Sequence, residues 1–411
     1  MMALTGAGLA AFRHRDYRWM QSARLLSVVA AEMQSVAVAW QVYEITHRAL
    51  DLGYVGLVQF FPGFLFALAA GHVADRFARR SVMLVCYCGY VVGSALLLWQ
   101  SANNLRNTHV IFAILFLLGT VRAFSGPAAS ALMPQLVDTK DFPNAVAWSS
   151  SVFMTSTIMG PAVGGLIYAW GHATAVYAVS VPMYLGSLVC LWVIRPREGG
   201  LEKKGASLET MLAGVRYVFE QKIILGSISL DLFAVLLGGA VALLPIYADE
   251  ILHVGPRGLG VLRSAPAVGA GIMAVLLANR PLRKKAGATM LWCVAIFGGA
   301  TVAFGISRSF WFSLAMLFVT GAADMVSVIV RGTLVQIATP AEMRGRVSAV
   351  NYLFIGASNE FGEFESGVTA QWFGAVRAVL IGGVGTLIVT AVWAWRFPDL
   401  RRVQTLEMVD A

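Results

Sequence analysis

Acidic side chains lie inside apolar stretches of this 411-residue sequence. An ionised side chain at the middle of a bilayer costs about 3 kcal/mol unless it is paired or faces water. A carboxylate in such a place can bind a proton from one side of a membrane and release it to the other. We therefore expect proton-coupling residues, ranked with Glu32 and Asp231 first, then Glu363 and Glu360, then Asp324. For each of them a structural ion pair is the alternative.

Helical spacing relates several of these acids to one another. Glu360 and Glu363 are three residues apart and share a helix face, with Asn359 beside Glu363. Glu365 points away from that face, so we expect it to pack against polar partners.

The apolar stretches that contain these residues predict transmembrane helices. The chain is 58% hydrophobic and 13% charged, whereas a soluble domain is about 25% charged. A helix needs about 20 apolar residues to cross the hydrocarbon core. Twelve windows of that kind, called spans 1 to 12 here, cover residues 22–45, 52–73, 82–100, 110–132, 146–169, 173–194, 224–248, 258–279, 288–306, 310–332, 347–371 and 376–396. We predict an all-α polytopic membrane protein with 12 transmembrane helices in two six-helix bundles.

The longest polar stretch separates spans 6 and 7 and divides the chain. We predict an N-terminal bundle over residues 1–200, a cytoplasmic linker with an amphipathic helix over 201–223, and a C-terminal bundle over 224–411. A shift of about 201 residues sets Gln135 on Gln336 and Asp141 on Glu342. Such a match between the halves indicates a parallel internal repeat.

The positions of Lys and Arg predict the orientation. Most of those in loops lie in the N-terminal segment, the even-numbered loops and the C-terminal tail, and the other side holds Arg48, Arg106, Arg257, Arg308 and Arg377. Cytoplasmic loops carry the basic excess, so both termini should be cytoplasmic in a bacterial inner membrane. The net charge of +9 comes from bases between apolar runs, which argues against a nucleic-acid partner.

A short motif joins spans 2 and 3. It contains Gly71, Asp75, Arg76, Arg79 and Arg80, with Ala78 where a second glycine is usual. The spacing resembles G-x-L-A-D-R-x-G-R-K of the major facilitator superfamily. Asp75 can pair with an arginine or with a helix N-terminus and so form a cytoplasmic latch that conformational change must break. A generic basic loop is the alternative.

Spans 4 and 5 carry two further motifs. Arg122 lies in a segment similar to the family's L-x-x-x-R-x-x-Q-G motif, with Ser125 in place of Gln. Arg122 joins the proton-coupling candidates, because its charge must face a cavity or a carboxylate. A structural ion pair is the alternative. In span 5, Gly160, Pro161, Gly164 and Gly165 resemble the antiporter motif G-P-x-x-G-G, although close helix packing explains the same residues.

The whole chain resembles the branch of the major facilitator superfamily that includes the enterobactin exporter and the macrolide efflux pumps. Residues 339–350, T-P-A-E-M-R-G-R-V-S-A-V, and residues 37–40, A-V-A-W, support this. The resemblance implies alternating access around a central cavity and export driven by proton entry. It does not identify the substrate.

Aromatic and soft side chains in the same spans are candidates for the lining of a substrate cavity. With one amide, they are Trp40, Tyr43, Phe60, Met154, Tyr352 and Asn359. Packing between helices or against lipid is the alternative for each.

These observations favour a secondary transporter over an enzyme. The leading hypothesis is a monomeric proton-coupled exporter of a small amphipathic or hydrophobic compound, such as a siderophore or drug. A facilitator, importer or lipid flippase of the same fold is the alternative. The sequence has no G-x-x-x-x-G-K-[ST] loop for ATP, and its 6 histidines and 4 cysteines show no metal-site spacing. We therefore expect no cofactor and no metal, with lipid, protons and a small molecule as partners.

Overall fold

The computed structural model describes residues 8–195, 208–280, 285–340 and 343–403, with the side chains of residues 68, 74, 75, 208–212, 349, 352 and 353 left undescribed. This part of the chain contains helices and no strand. Within it, nine stretches are long and apolar enough to cross a membrane. The prediction of an all-α polytopic membrane protein is confirmed. The linker residues 201–207 and the side chains of Asp75 and Tyr352 lie outside the description.

The α-helices follow the predicted spans closely. In chain order they are α1 (Arg15–Thr46), α2 (Ala49–Leu65), α3 (Ala67–Arg76), α4 (Arg79–Ala102), α5 (Thr108–Leu132), α6 (Phe142–Val193), α7 (Leu208–Glu220), α8 (Lys222–Leu237), α9 (Leu244–Ile246), α10 (Gly255–Asn279), α11 (Ala286–Ile306), α12 (Phe310–Ala338), α13 (Arg344–Phe373), α14 (Ala375–Arg396) and α15 (Pro398–Arg402). Span 2 corresponds to α2 and α3 together. Spans 5 and 6 are both in α6, which has non-helical backbone at Gly171 and His172.

The chain divides into two compact units. The first contains Met1–Gln41 and Val58–Ala206, and the second contains Val42–Leu57 and Ser207–Ala411. The division falls inside α1 and α2. The bundle limits at residues 200 and 224 stay a prediction.

In the first unit, α1 carries a polar stripe. Arg24, Ser27, Gln34 and Gln41 recur at intervals of three or seven residues, which places them on one helix face. Each forms a hydrogen bond with a side chain of α4 or α6. Arg24 Nη1 donates to Ser149 Oγ at 2.8 Å, and Ser27 Oγ lies 3.1 Å from Tyr87 Oη. Gln34 donates to Ser94 Oγ and accepts from Tyr184 Oη at 3.3 Å, and Gln41 accepts from Tyr177 Oη at 2.8 Å. We call this set the α1 ladder. It satisfies polar groups that lipid could not.

The N-terminal segment of the first unit docks on the start of α6. A 3-10 turn, Ala10–Arg13, precedes α1. Beside it, His14 Nε2 lies 2.9 Å from Asp141 Oδ2, and Trp148 Nε1 donates to the Gly8 carbonyl at 2.8 Å. We call these contacts the N-terminal clasp. Nothing in the sequence indicated it, because the histidines are scattered along the chain.

In the second unit, the single helix predicted for span 7 is continuous only as far as Leu237, and the prediction is wrong for residues 238–248. Helix α8 ends at Leu237, and a 3-10 turn (Ala240–Leu243), the short α9 and a π-helix (Tyr247–Ile251) follow. A Cβ atom at Gly239 would overlap the Gly362 carbonyl, so only glycine allows this approach of α13. Pro245 then lacks the N–H that a continuing helix needs.

Helix α7 (Leu208–Glu220) lies within the predicted linker region. Its Val218 is buried in a cluster with residues of α8, α12 and α13. Tyr217 donates to the Ala338 carbonyl at 3.2 Å, and Gly214 leaves only 3.0 Å between an added Cβ and the Arg346 carbonyl oxygen. The apolar face of α7 therefore packs on protein within the second unit.

Candidate functional site

A buried ion pair joins α8 to α12 in the second unit. The Arg331 guanidinium contacts the Asp231 carboxylate through Nη1 and Oδ2. Arg331 is 2% exposed and Asp231 is 6% exposed. Among the described residues, Arg331 Nε has no hydrogen-bond partner. The pair therefore depends on mutual attraction, and loss of either partner would leave an uncompensated buried charge.

The pattern of buried residues on α12 and α8 places both charged side chains in the interior of the second unit. Along α12, Ala323, Val326, Val330 and Leu334 are buried at intervals of three or four residues and so define one face. Arg331 belongs to that face. Asp231 occupies the corresponding position on α8, between the buried residues Leu230 and Ala234, which join Val326, Val330 and Leu334 in one apolar cluster.

Asp324 shares the helix of Arg331. It lies seven residues earlier on α12, hence on the same face and about 10 Å along the axis, and it is half-buried. The second unit thus places Asp231 in contact with Arg331 and places Asp324 on the same helix as Arg331.

Glu360 and Glu363 converge on the middle of α2, at Gly56. A Cβ atom added to Gly56 would lie 2.7 Å from Glu363 Oε2 and 2.9 Å from Glu360 Oε2. Both carboxylates therefore lie against the backbone at Gly56. The exposed Asn359 donates its amide to the Ile355 carbonyl of its own helix at 3.0 Å.

In the first unit, Glu32 lies where α6 approaches α1 most closely. A Cβ at Gly160 would overlap that of Glu32, and a Cβ at Gly164 would lie 2.8 Å from the Met33 Cα. Gly160, Pro161, Gly164 and Gly165 are all buried. The motif of span 5 therefore brings the two backbones together directly beside a half-buried carboxylate.

Arg122 on α5 is exposed. No carboxylate lies within ion-pair distance of it in the described ranges. Three residues on, Ser125 Oγ lies 3.0 Å from Tyr90 Oη, and Tyr90 stacks on Tyr184 with ring centroids 5.3 Å apart.

The motif between spans 2 and 3 places Arg80 at the end of α6. Arg80 Nε donates to the Leu191 carbonyl at 3.3 Å, and Nη2 donates to the Trp192 carbonyl. A cation there satisfies terminal carbonyls and complements the helix dipole. Arg76 ends α3 and Arg79 begins α4, while Gly71 has open space around it.

The candidates for the lining of a substrate cavity are divided between the two units. Trp40 is buried and meets Tyr168 edge-on at 6.3 Å. Tyr43, also buried, donates its hydroxyl to the Glu250 carboxylate. Phe60 and Met154 are half-buried. Trp40, Phe60 and Met154 belong to the first unit, and Tyr43 and Asn359 belong to the second.

Apart from Arg122, sequence reasoning missed the basic residues inside the helices. It examined the acids of each span and did not pair them with Arg331, although Arg331 lies in span 10. It likewise passed over Arg24, whose guanidinium lies 5.6 Å from the ring centre of Phe153. A search for Lys and Arg inside the windows would have found both.

Comparisons with known proteins agree with this architecture. A family described as transmembrane secretion effectors, within the major facilitator superfamily, matches residues 6–410. The enterobactin exporter EntS of Shigella boydii serotype 18 and that of Escherichia coli O139:H28 are each 25% identical to the chain over 385 residues, which is 91% of this chain and 86% of theirs.

Solved structures share the fold. A bacterial homolog of the human lysosomal transporter Spinster, inward-facing and occupied, aligns with a TM-score of 0.75 and 13% identity over 95% of this chain and 98% of that one. The nucleoside transporter NupG aligns with a TM-score of 0.68 and 12% identity over 95% and 100%. From the family match over nearly its whole length, this chain belongs to the transmembrane secretion effectors of the major facilitator superfamily and is a multi-pass membrane transporter.

Proposed function

We propose that this transporter is a proton-coupled exporter of a small amphipathic or hydrophobic compound, such as a siderophore or drug, and that it works by alternating access. The buried pair of Asp231 and Arg331 carries the proposal. The direction of transport follows the enterobactin exporters to which the chain is similar.

A proton can change the charge balance of this pair. With Asp231 ionised, the two charges compensate each other in an apolar cluster. Protonation of Asp231 would leave the Arg331 charge without a partner, which is unfavourable in such surroundings. Movement of α8 against α12 that brings the guanidinium to water or to cargo would relieve this. Proton binding and helix movement are thereby linked, and entry of one charge across 100 mV supplies about 2.3 kcal/mol.

The other titratable groups have supporting roles in this proposal. Glu32, beside the close approach of α1 and α6, is a second proton site whose titration would act on that packing. Glu360, Glu363 and Asp324 line the path within the second unit, and Arg122 faces the cavity.

The setting follows from the sequence. We place the chain as a monomer in the bacterial inner membrane with both termini in the cytoplasm, because the loop Lys and Arg residues favour that side. The bundles are residues 1–200 and 224–411. Arg80 and Asp75 belong to a cytoplasmic latch, and Arg80 holds the end of α6.

Flux from proteoliposomes tests this function. A panel of hydrophobic drugs and siderophores would be followed with and without an imposed pH gradient, in wild type and in the Asp231→Asn and Glu32→Gln variants. Glu44→Gln is a matched control for Glu32→Gln because Glu44 is an exposed acid on the same helix.

The proposal predicts uphill movement that follows the pH gradient, is lost in Asp231→Asn and persists in Glu44→Gln. Flux that ignores the gradient and is unchanged in both acid variants would contradict it. The chain would then be a facilitator, importer or lipid flippase of the same fold.

A further inference from the structure

A cavity of about 630 Å³ opens between α8 and α13 in the second unit. We call it the Glu365 groove. Its walls are mainly apolar and include Leu232, Leu236, Phe361, Glu365, Thr369 and Trp372. None of these residues belongs to the ion pair of Asp231 and Arg331 or to the carboxylates at Gly56.

Glu365 supplies the charge of this groove. It lies eight residues before the last residue of α13, which is about 12 Å along the helix axis. Its Oε1 accepts a hydrogen bond from Thr369 Oγ1 at 2.7 Å. Across the described ranges, no cationic side chain lies within ion-pair distance of it. The expected packing against a polar partner thus accounts for one hydroxyl and leaves the negative charge uncompensated.

Aromatic rings flank the carboxylate on the same helix face. Phe361 lies four residues before Glu365 and Trp372 lies seven after it, so all three project to one side of α13. Phe361 is 47% exposed and Trp372 is 74% exposed. Aromatic faces beside a carboxylate are the arrangement that attracts organic cations.

We infer that the Glu365 groove binds a small amphipathic cation, with its charge against Glu365 and its apolar groups against Phe361 and Trp372. The volume suits a drug-sized molecule and is too small for a whole diacyl lipid. This inference goes beyond the proposed function and does not depend on proton coupling.

Equilibrium binding of tetraphenylphosphonium to the full-length protein tests the groove. The protein would be held in nanodiscs of phosphatidylglycerol without any pH gradient, so failure of proton-coupled flux would not affect the result. Tetraphenylborate, an anion of the same size and shape, is the ligand control. Glu44→Gln is the protein control, since Glu44 is an exposed acid outside the groove.

We expect saturable binding of the phosphonium and none of the borate. Glu365→Gln should weaken phosphonium binding about tenfold or more, because it removes a charge in apolar surroundings, and Glu365→Asp should restore most of it. Trp372→Leu should weaken binding about threefold to tenfold through the lost cation–π contact. Glu44→Gln should bind as wild type does.

Three results would overturn the inference. The first is equal phosphonium binding by wild type and Glu365→Gln, and the second is equal binding of the borate. The third is loss of the difference in phosphonium binding between wild type and Glu365→Gln when phosphatidylethanolamine replaces phosphatidylglycerol, which would assign the groove to a lipid ammonium group. If Glu365→Gln does not fold, unchanged binding in Trp372→Leu still contradicts the assignment.

Discussion

The two units hold their polar groups in different ways. In the first, the α1 ladder joins Arg24, Ser27, Gln34 and Gln41 to neutral partners on α4 and α6. In the second, opposite charges meet directly. The ladder contains no carboxylate that could bind a proton, whereas the ion pair contains Asp231. The ladder therefore fits a scaffold, and the pair fits an element that responds to protons.

Breaking the ion pair should have the largest effect on stability. Asp231→Asn or Arg331→Gln alone leaves one buried charge, which should cost about 3–5 kcal/mol of unfolding free energy. The double variant Asp231→Asn/Arg331→Gln removes both charges and should recover most of the loss. Thermal unfolding of the purified protein in detergent measures all three. Equal loss in the single and double variants would show that the two side chains do not act as a pair.

The second-largest effect on stability is expected where α6 packs closely against α1 in the first unit. Gly160→Ala adds a methyl group that overlaps Glu32 Cβ, so we expect a loss of about 1–3 kcal/mol. Gly63→Ala is the matched control, because Gly63 is a helical glycine of the same unit with open space beside it. That control should be neutral or slightly stabilising. If both substitutions unfold at the same temperature, the helices are not tightly packed at Gly160.

The N-terminal clasp should contribute less. His14→Ala removes the hydrogen bond to Asp141, at a cost of about 1 kcal/mol. Hydrogen exchange followed by mass spectrometry should show faster exchange at the start of α6 and no change in α12. Unchanged protection at the start of α6 would mean that the 3-10 turn holds without this bond.

The smallest effect is expected in the ladder. Gln34→Leu removes the hydrogen bonds with Ser94 and Tyr184, and single hydrogen bonds between membrane helices contribute about 0.6 kcal/mol each. Thermal unfolding should shift slightly, while the pH dependence of flux stays as in wild type. A shifted pH dependence would contradict the assignment of the ladder to a scaffold.

Hydropathy was sufficient to predict the helices and insufficient to predict their interruptions. The short gap between the apolar windows of spans 5 and 6 coincides with the non-helical backbone of Gly171 and His172. Residues 238–248 are just as apolar as α8, so apolar character alone extended that helix too far. The break depends on Gly239 meeting Gly362 of a distant helix, a contact that no local pattern contains.

The positions of the site residues could be predicted only where their spacing along a single helix determines which of them share a face. The three-residue spacing of Glu360 and Glu363 places both on one face, and both do reach Gly56. The partner of Asp231 is 100 residues away in the chain, and identifying it required the packing of α8 on α12. Charge balance would have indicated this partner, because a buried acid requires a base and Arg331 lies inside span 10.

The most direct test of the central claim separates transport from coupling in the double variant Asp231→Asn/Arg331→Gln. In proteoliposomes, exchange of a transported compound at equal pH would be compared with its uphill movement under a pH gradient. We predict that exchange persists and uphill movement is lost, because the cycle no longer has the charge pair that responds to protons. Uphill movement at the wild-type rate in this variant would contradict the account.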